Sequence, residues 1–347
     1  MSYVRELKDY KPSGRDVGGM KVGIGVDLDG CVDPGMKKHC LGFAPAAVIN
    51  YNLQAIQDIG VKAWMYINCY SQDAGKSRFV TLHMWADLLR ESEPVKEMGV
   101  EIPKFQYLPR WTEVTNSLST GALKAYLEKG DFSAILGEGD KKEEAVAELS
   151  AALKWSQDVD SRVPEASANI TPFPNAVNTI RRAYDMGADI SIVSGTPMAH
   201  VEKHIEKYGI DDCLVGVFPN EAGKKHASLA TMMAGPFGGS DKTPLLGNTQ
   251  GNYDVMLMVG DAPKDYEEAK KANALLTGTE DTPTRMFLVQ VGSENESWAK
   301  LNEALDTIVK GEWSREDERN LINAGLRNLD RVWVDTWPIK EFPIRNE

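Results

Sequence analysis

Five short apolar runs constrain the fold of this chain more than any other feature: Val22–Val26, Asp189–Val193, Leu214–Val217, Val255–Val259 and Met286–Val291. They are near-continuous rather than alternating, the pattern of strands covered on both faces, as in a parallel sheet. Helical patterns separate them. Met198, Val201, Ile205 and Tyr208 recur at helical spacing and Gly209 supplies a stop, while Lys264 to Asn273 is polar and alanine-rich, a surface helix. The alternation predicts an α/β fold, Rossmann-like, with a parallel sheet and helices on both faces.

One interval breaks the rhythm. A strand–helix–strand unit needs roughly 30 residues, yet about 160 separate the first two runs. The excess predicts an inserted, mainly helical domain over residues 35–166, leaving a discontinuous core of 1–34 and 167–347. Val48, Tyr51, Ala55, Ile56 and Ile59 form one apolar stripe in the insert; Leu123, Tyr126 and Leu127 form another, and Val146, Leu149, Ala152 and Leu153 a third. Asp33-Pro34-Gly35-Met36 is the expected entry hinge, and the stretch from Asp160 to Pro174 the expected return. Gly235 to Asn252 reads as a loop. Beyond the last run, Trp298–Ile308 and Glu316–Leu329 read as helices and Val332–Glu347 as an extended tail.

The net charge of −12 works against nucleic acid and anionic membrane as partners, since both call for a basic footprint. No run has the length of a membrane span or of a secretory signal, so the expected compartment is cytoplasmic. Cys31, Cys40, Cys69 and Cys213 are scattered without a C-x-x-C pair, and are expected as reduced, mostly buried thiols.

In open parallel sheets ligands bind beyond the carboxyl ends of the strands. Asp27 and Asp29 follow the first run, Ser194-Gly195-Thr196 the second, Lys224-Lys225 come shortly after the third, and Gly260-Asp261-Ala262-Pro263-Lys264-Asp265 follows the fourth. Each has an ordinary explanation alone: a turn cap, a common turn, a surface lysine pair, a helix start. Their arrival in order at successive strand ends has none. Together they supply the parts of phosphoryl transfer. Asp27, Asp261 and Asp265 gathered without a cation would repel strongly. An oxygen-only donor set without His or Cys favours Mg²⁺. A carboxylate can attack phosphorus, a second can move the proton, and a hydroxyl, amides and an ammonium can hold the phosphoryl oxygens.

In VDLDG, SGT, the lysine after the third strand and GDAPKD, the chain resembles the haloacid dehalogenase (HAD) superfamily, over residues 20–34 and 167–295. The insert matches that superfamily's C1-type cap in position. The resemblance implies Asp27 as nucleophile and Asp29 as general acid and base, its main-chain carbonyl also ligating Mg²⁺. It implies Asp261 and Asp265 as metal ligands, Asp265 directly or through water. Ser194, Gly195 and a lysine would bind the phosphoryl group, the spacing of AGKKHASL favouring Lys225 over Lys224. Cys31 stands where the family often has Thr. Dehalogenases and phosphonatases resemble the first motif without its second Asp; phosphatases and phosphomutases carry it.

Other motifs are excluded. Gly30 directly after Asp29 breaks an EF-hand loop, Leu28 replaces the third glycine of a dinucleotide fingerprint, and no G-x-x-x-x-G-K-[ST] occurs. His200 and His204 are spaced to share a metal but lack the glutamate of H-E-x-x-H, and are expected as surface residues. In the insert, Asn68 to Phe79 is the densest polar and aromatic stretch. Asn68, Ser71 and Arg78 are its candidates for substrate choice, against a reading in which the stretch merely caps a helix. The expected function is a Mg²⁺-dependent phosphatase of a small phosphorylated metabolite. The alternatives are a phosphotransferase or phosphomutase using the same residues, and a non-catalytic binding protein.

Overall fold

The computed structural model describes residues 3–34, 36–71, 73–234, 252–260, 263–277, 286–290 and 296–314. The chain divides into two compact units. The first takes the described residues up to Pro34 and those from Thr171 onward; the second is Met36–Ile170.

The first unit is built on a five-stranded, wholly parallel sheet: β1 (Val22–Val26), β2 (Asp189–Val193), β3 (Leu214–Phe218), β4 (Val255–Gly260) and β5 (Met286–Gln290). The spatial order is β3-β2-β1-β4-β5, so strand order reverses beside β1, between it and β4. The amino-terminal arm joins the β3 edge, where the Val4 N–H donates to the Val215 carbonyl and the Val4 carbonyl accepts from the Val217 N–H, both at 2.9 Å.

Helices cover both faces. Pro174–Asp185, Met198–Tyr208 and Glu296–Val309 pack on one, burying Val22, Ile24 and Val26 of β1 with Val255, Leu257 and Val259 of β4. Lys225–Ala234 and Pro263–Thr277 lie on the other, over Met256 and Met258. On that second face β1 offers only Gly23 and Gly25. A Cβ on Gly25 would lie 2.9 Å from Leu229, so the missing side chain is what lets the Lys225 helix settle close against the central strand.

The second unit is helical throughout its ordered elements. Its core is aromatic: Trp64, Trp85, Trp111 and Trp155 are fully buried with Phe79. The stripe read over Val48 to Ile59 is broken. One helix, Ala44–Asn50, ends where Asn52 takes a left-handed φ of 57°, and Gln57–Met65 begins the next. A side-chain amide tolerates that conformation and closes the turn, which apolar spacing alone does not register. In the long helix Lys142–Ala168 the buried face runs through Ala145, Leu149, Ala152 and Trp155, leaving Val146 exposed. This helix passes through Pro164, so the chain leaves helix only after Ala168. Pro164 is on the exposed face, where water can meet the carbonyl it leaves unbonded.

No disulfide joins the four cysteines; Cys31 and Cys213 are buried, Cys40 and Cys69 half-buried. Among the described residues no helix is long and apolar enough to cross a membrane. The expected helix Glu316–Leu329 and tail Val332–Glu347, and nearly all of the expected loop Gly235–Asn252, lie outside the described residues.

Candidate active site

Asp27 is the first residue beyond β1, held in line by its N–H donating to the Val259 carbonyl of β4 at 2.9 Å. Its carboxylate is only 7% exposed. Oδ1 accepts from the Leu28 N–H at 2.8 Å, and Oδ2 from the Lys225 ammonium at 2.5 Å. Lys225 also donates to Asp265 Oδ1 at 2.7 Å, so one cation bridges two acids that flank the reversal of strand order. Lys224, its neighbour, is exposed.

The bridge depends on a second glycine. Gly260 ends β4, and a Cβ there would meet Asp265 Cβ at 2.4 Å, so the aspartate folds back over the strand end only because position 260 is bare.

This charge balance is uneven. Burial pushes the Asp27 carboxyl up, to about 7; Lys225 pulls it down, while repulsion from Asp265 and Asp29 raises it again. Burial works against the charge on Lys225, but Asp265 and Asp27 outweigh it and hold the ammonium above the ordinary lysine range.

Asp29 sits in the turn after β1, where Gly30 N–H donates to the Asp33 carbonyl at 2.9 Å. Its Oδ2 accepts from the Thr196 hydroxyl at 2.5 Å. Thr196 N–H in turn donates to Ser194 Oγ at 3.2 Å; Ser194 is buried and Gly195 exposed. Thr196 belongs to the S-G-T motif, but its bond to Asp29 joins residues 167 positions apart, which motif spacing does not indicate.

A matching family model spans residues 26–273, the haloacid dehalogenase-like hydrolases. The chain belongs to this family. Its α/β fold, with helices over a parallel sheet, is that of a haloacid dehalogenase-like hydrolase. Among solved structures it is similar to a protein from Lactobacillus delbrueckii subsp. bulgaricus described as a phosphoglycolate phosphatase, at 10% identity and TM-score 0.39, covering 85% of this chain and 98% of that one. It is also similar to L-2-haloacid dehalogenase from Xanthobacter autotrophicus, at 13% identity and TM-score 0.35, covering 84% and 87%. Likeness this distant says nothing of substrate. No curated protein sequence matches the chain at a significant level.

Two further polar clusters brace the site of this HAD-like hydrolase. His204, expected at the surface, is 4% exposed. Its Nδ1 lies 3.1 Å from Asp33 Oδ2, which also accepts from the Tyr208 hydroxyl at 2.7 Å. His204 shares the buried face of Val201, Ile205 and Tyr208, so the carboxylate at the end of the Asp29 turn draws it inward. Among the described residues Asp33 Oδ1, which is buried, has no hydrogen-bond partner. The second cluster is His226 with Glu268, next to Lys225 and one turn beyond Asp265. No spacing in the sequence indicates either pairing, since their members lie far apart along the chain.

Asp261 lies outside the described residues. Asn68, Ser71 and Arg78 belong to the helical unit and are bonded within it. Asn68 Nδ2 donates to the Trp64 carbonyl at 2.9 Å, and Ser71 Oγ to the Ile67 carbonyl at 2.8 Å. Arg78 donates to Asp160 at 2.5 Å and lies over the Phe43 ring. Among the described residues no three His, Cys, Asp or Glu side chains form a metal-holding group.

Proposed function

We propose that this HAD-like hydrolase is a Mg²⁺-dependent phosphatase of small phosphorylated metabolites, working through an aspartyl phosphate. The observation that carries the reading is the buried Asp27 carboxylate at a strand end, held by Lys225, with Asp29 two residues on and bonded to Thr196.

The donor set suits Mg²⁺. It is made of oxygens, and burial, with repulsion from Asp265 and Asp29 added to it, raises the Asp27 carboxyl against the pull of Lys225, a cost that a hard cation relieves. Mg²⁺ keeps several waters and needs few carboxylates, so a three-acid cage is not required. The Asp27 carboxylate, the Asp29 carbonyl and Asp265 would hold it, with Asp261 from outside the described residues. When bound it would keep Asp27 ionised and draw charge from the phosphoryl oxygens.

The chain's own groups do the rest. Asp27 attacks phosphorus, forming an acyl phosphate as the bond to the leaving oxygen breaks. Asp29 gives that oxygen its proton, then takes one from the water that releases phosphate and restores Asp27. Lys225, the Ser194 hydroxyl and the Gly195 amide hold the phosphoryl oxygens. The Thr196 hydroxyl fixes the orientation of Asp29.

The test is phosphate release from a panel of phosphorylated sugars, phospho-acids and nucleotides, with and without Mg²⁺, for the natural protein and Asp27→Asn. Mg²⁺-dependent release lost in the variant supports the reading. Release unaffected by Asp27→Asn would overturn it.

A further inference from the structure

The lysine that meets Asp27 is the first residue of its helix, Lys225–Ala234, where the chain has just left a turn. Its neighbour His226 is buried, and Glu268 of the helix Pro263–Thr277 is 5% exposed. One oxygen of Glu268, Oε2, receives two bonds from this residue: the His226 N–H at 3.0 Å and His226 Nδ1 at 2.7 Å. With Nδ1 facing a carboxylate, the ring carries its proton there. The first amides of a helix have no partner inside it, so Glu268 satisfies one of them from the neighbouring helix.

Lys225 and Glu268 thereby engage the same two helices in opposite directions. Lys225 reaches from one to Asp265 at 2.7 Å, and Glu268 reaches back to His226. Residues 265 and 268 are one turn apart and residues 225 and 226 are consecutive, so the two contacts are close but not collinear. The helix is already packed on the sheet through Leu229, Ala230 and Met233, and the Glu268 contact adds an anchor at its first turn, from which Lys225 projects. A lysine with a flexible four-carbon stem needs such a fixed base to keep its ammonium within reach of Asp27.

We propose that His226 and Glu268 are positioning residues for Lys225, a clasp that holds the ammonium against Asp27 and so sets the efficiency of phosphoryl transfer. The inference rests on the phosphatase reading for its effect on rate, but not for its effect on Lys225 itself. Burial alone would raise the Glu268 carboxyl, yet the bonds from His226 bring it down to about 2, in keeping with a carboxylate that stays ionised in the clasp.

The experiment compares Glu268→Ala, Glu268→Gln, Lys225→Ala and the Glu268→Ala/Lys225→Ala double variant, all far below their unfolding transitions. Two readouts are taken: Mg²⁺-dependent hydrolysis of p-nitrophenyl phosphate, and the acetylation rate of Lys225 under a pulse of acetic anhydride, read by peptide mass spectrometry. Glu268→Ala is expected to lower kcat by about 10- to 100-fold and to speed Lys225 acetylation. Glu268→Gln, which keeps an oxygen acceptor for both His226 donors, is expected to stay close to the natural protein in both. In the Lys225→Ala background the Glu268→Ala change should cost nothing more, because its effect runs through the lysine. The proposal is overturned if Glu268→Ala leaves Lys225 acetylation unchanged, or slows hydrolysis by the same factor whether or not Lys225 is present. If the natural protein hydrolyses no phosphate ester, the functional reading has failed, and the acetylation rates alone decide the clasp.

Discussion

Gly260 makes room for Asp265: a Cβ at position 260 would stand 2.4 Å from the aspartate's own Cβ and 2.7 Å from its Cγ. Neither backbone nor a short side chain can yield by that much without moving. Gly260→Ala is therefore expected to displace Asp265 from Lys225, lowering kcat for phosphate-ester hydrolysis by about 10- to 100-fold. Hydrolysis at the natural rate would show that Asp265 is not needed where it stands.

On the other side of the lysine, Gly25 sets the approach of its helix to β1 through Leu229. Gly25→Val overpacks that contact and should destabilise the fold by about 1–3 kcal/mol. Urea denaturation monitored by tryptophan fluorescence measures the loss.

Thr196→Val removes the hydroxyl that bonds Asp29 while keeping the shape of the side chain. Stability should change by no more than about 1 kcal/mol, and kcat should fall. The fall should be steeper for esters with poor leaving groups, which depend most on a well-placed acid. Equal effects on good and poor leaving groups would detach Thr196 from the proton transfer.

Tyr208→Phe takes a donor from the buried Asp33, whose other oxygen has no partner among the described residues. A loss of about 1–3 kcal/mol is expected, read from thermal or urea unfolding. An unchanged midpoint would mean that Asp33 is not relying on the tyrosine.

The Glu268 carboxyl is depressed to about 2 in the folded protein against 4.5 as a free side chain. The stability it contributes is full above pH 4.5 and is lost as pH falls through the folded value, because protonation then favours the unfolded chain. Glu268→Gln should flatten the stability–pH curve between about pH 5 and 2 relative to the natural protein. Parallel curves for the two proteins would contradict the assignment.

Much of this was legible in the sequence, for definable reasons. Strands buried on both faces are written as unbroken apolar runs, so β1 and β2 are found residue for residue at Val22–Val26 and Asp189–Val193. Asp27, Lys225 and Asp265 all follow ends of strands that pair side by side or nearly so, so their 2.5 and 2.7 Å contacts agree with their order along the chain. His204 was misplaced although its helical phase matched Val201 and Tyr208, because a histidine's burial depends on an acid elsewhere, here Asp33. No sequence pattern pairs His226 with Glu268, since they are 42 positions apart on two different helices and no periodicity links one to the other. Asn52 broke a stripe that hydrophobic spacing alone runs straight through.

The placement of β1 also fixes an order of assembly. It is the middle strand of the sheet, made first, and its neighbours β2 and β4 follow only after the whole of Met36–Ile170 has been synthesised. On the ribosome the described residues of the helical unit are all in hand while β1 still has no strand to pair with. The strand that carries Asp27 is left waiting with Val22, Ile24 and Val26 uncovered, and this interval of synthesis is where the nascent chain is most open to chaperones and to aggregation.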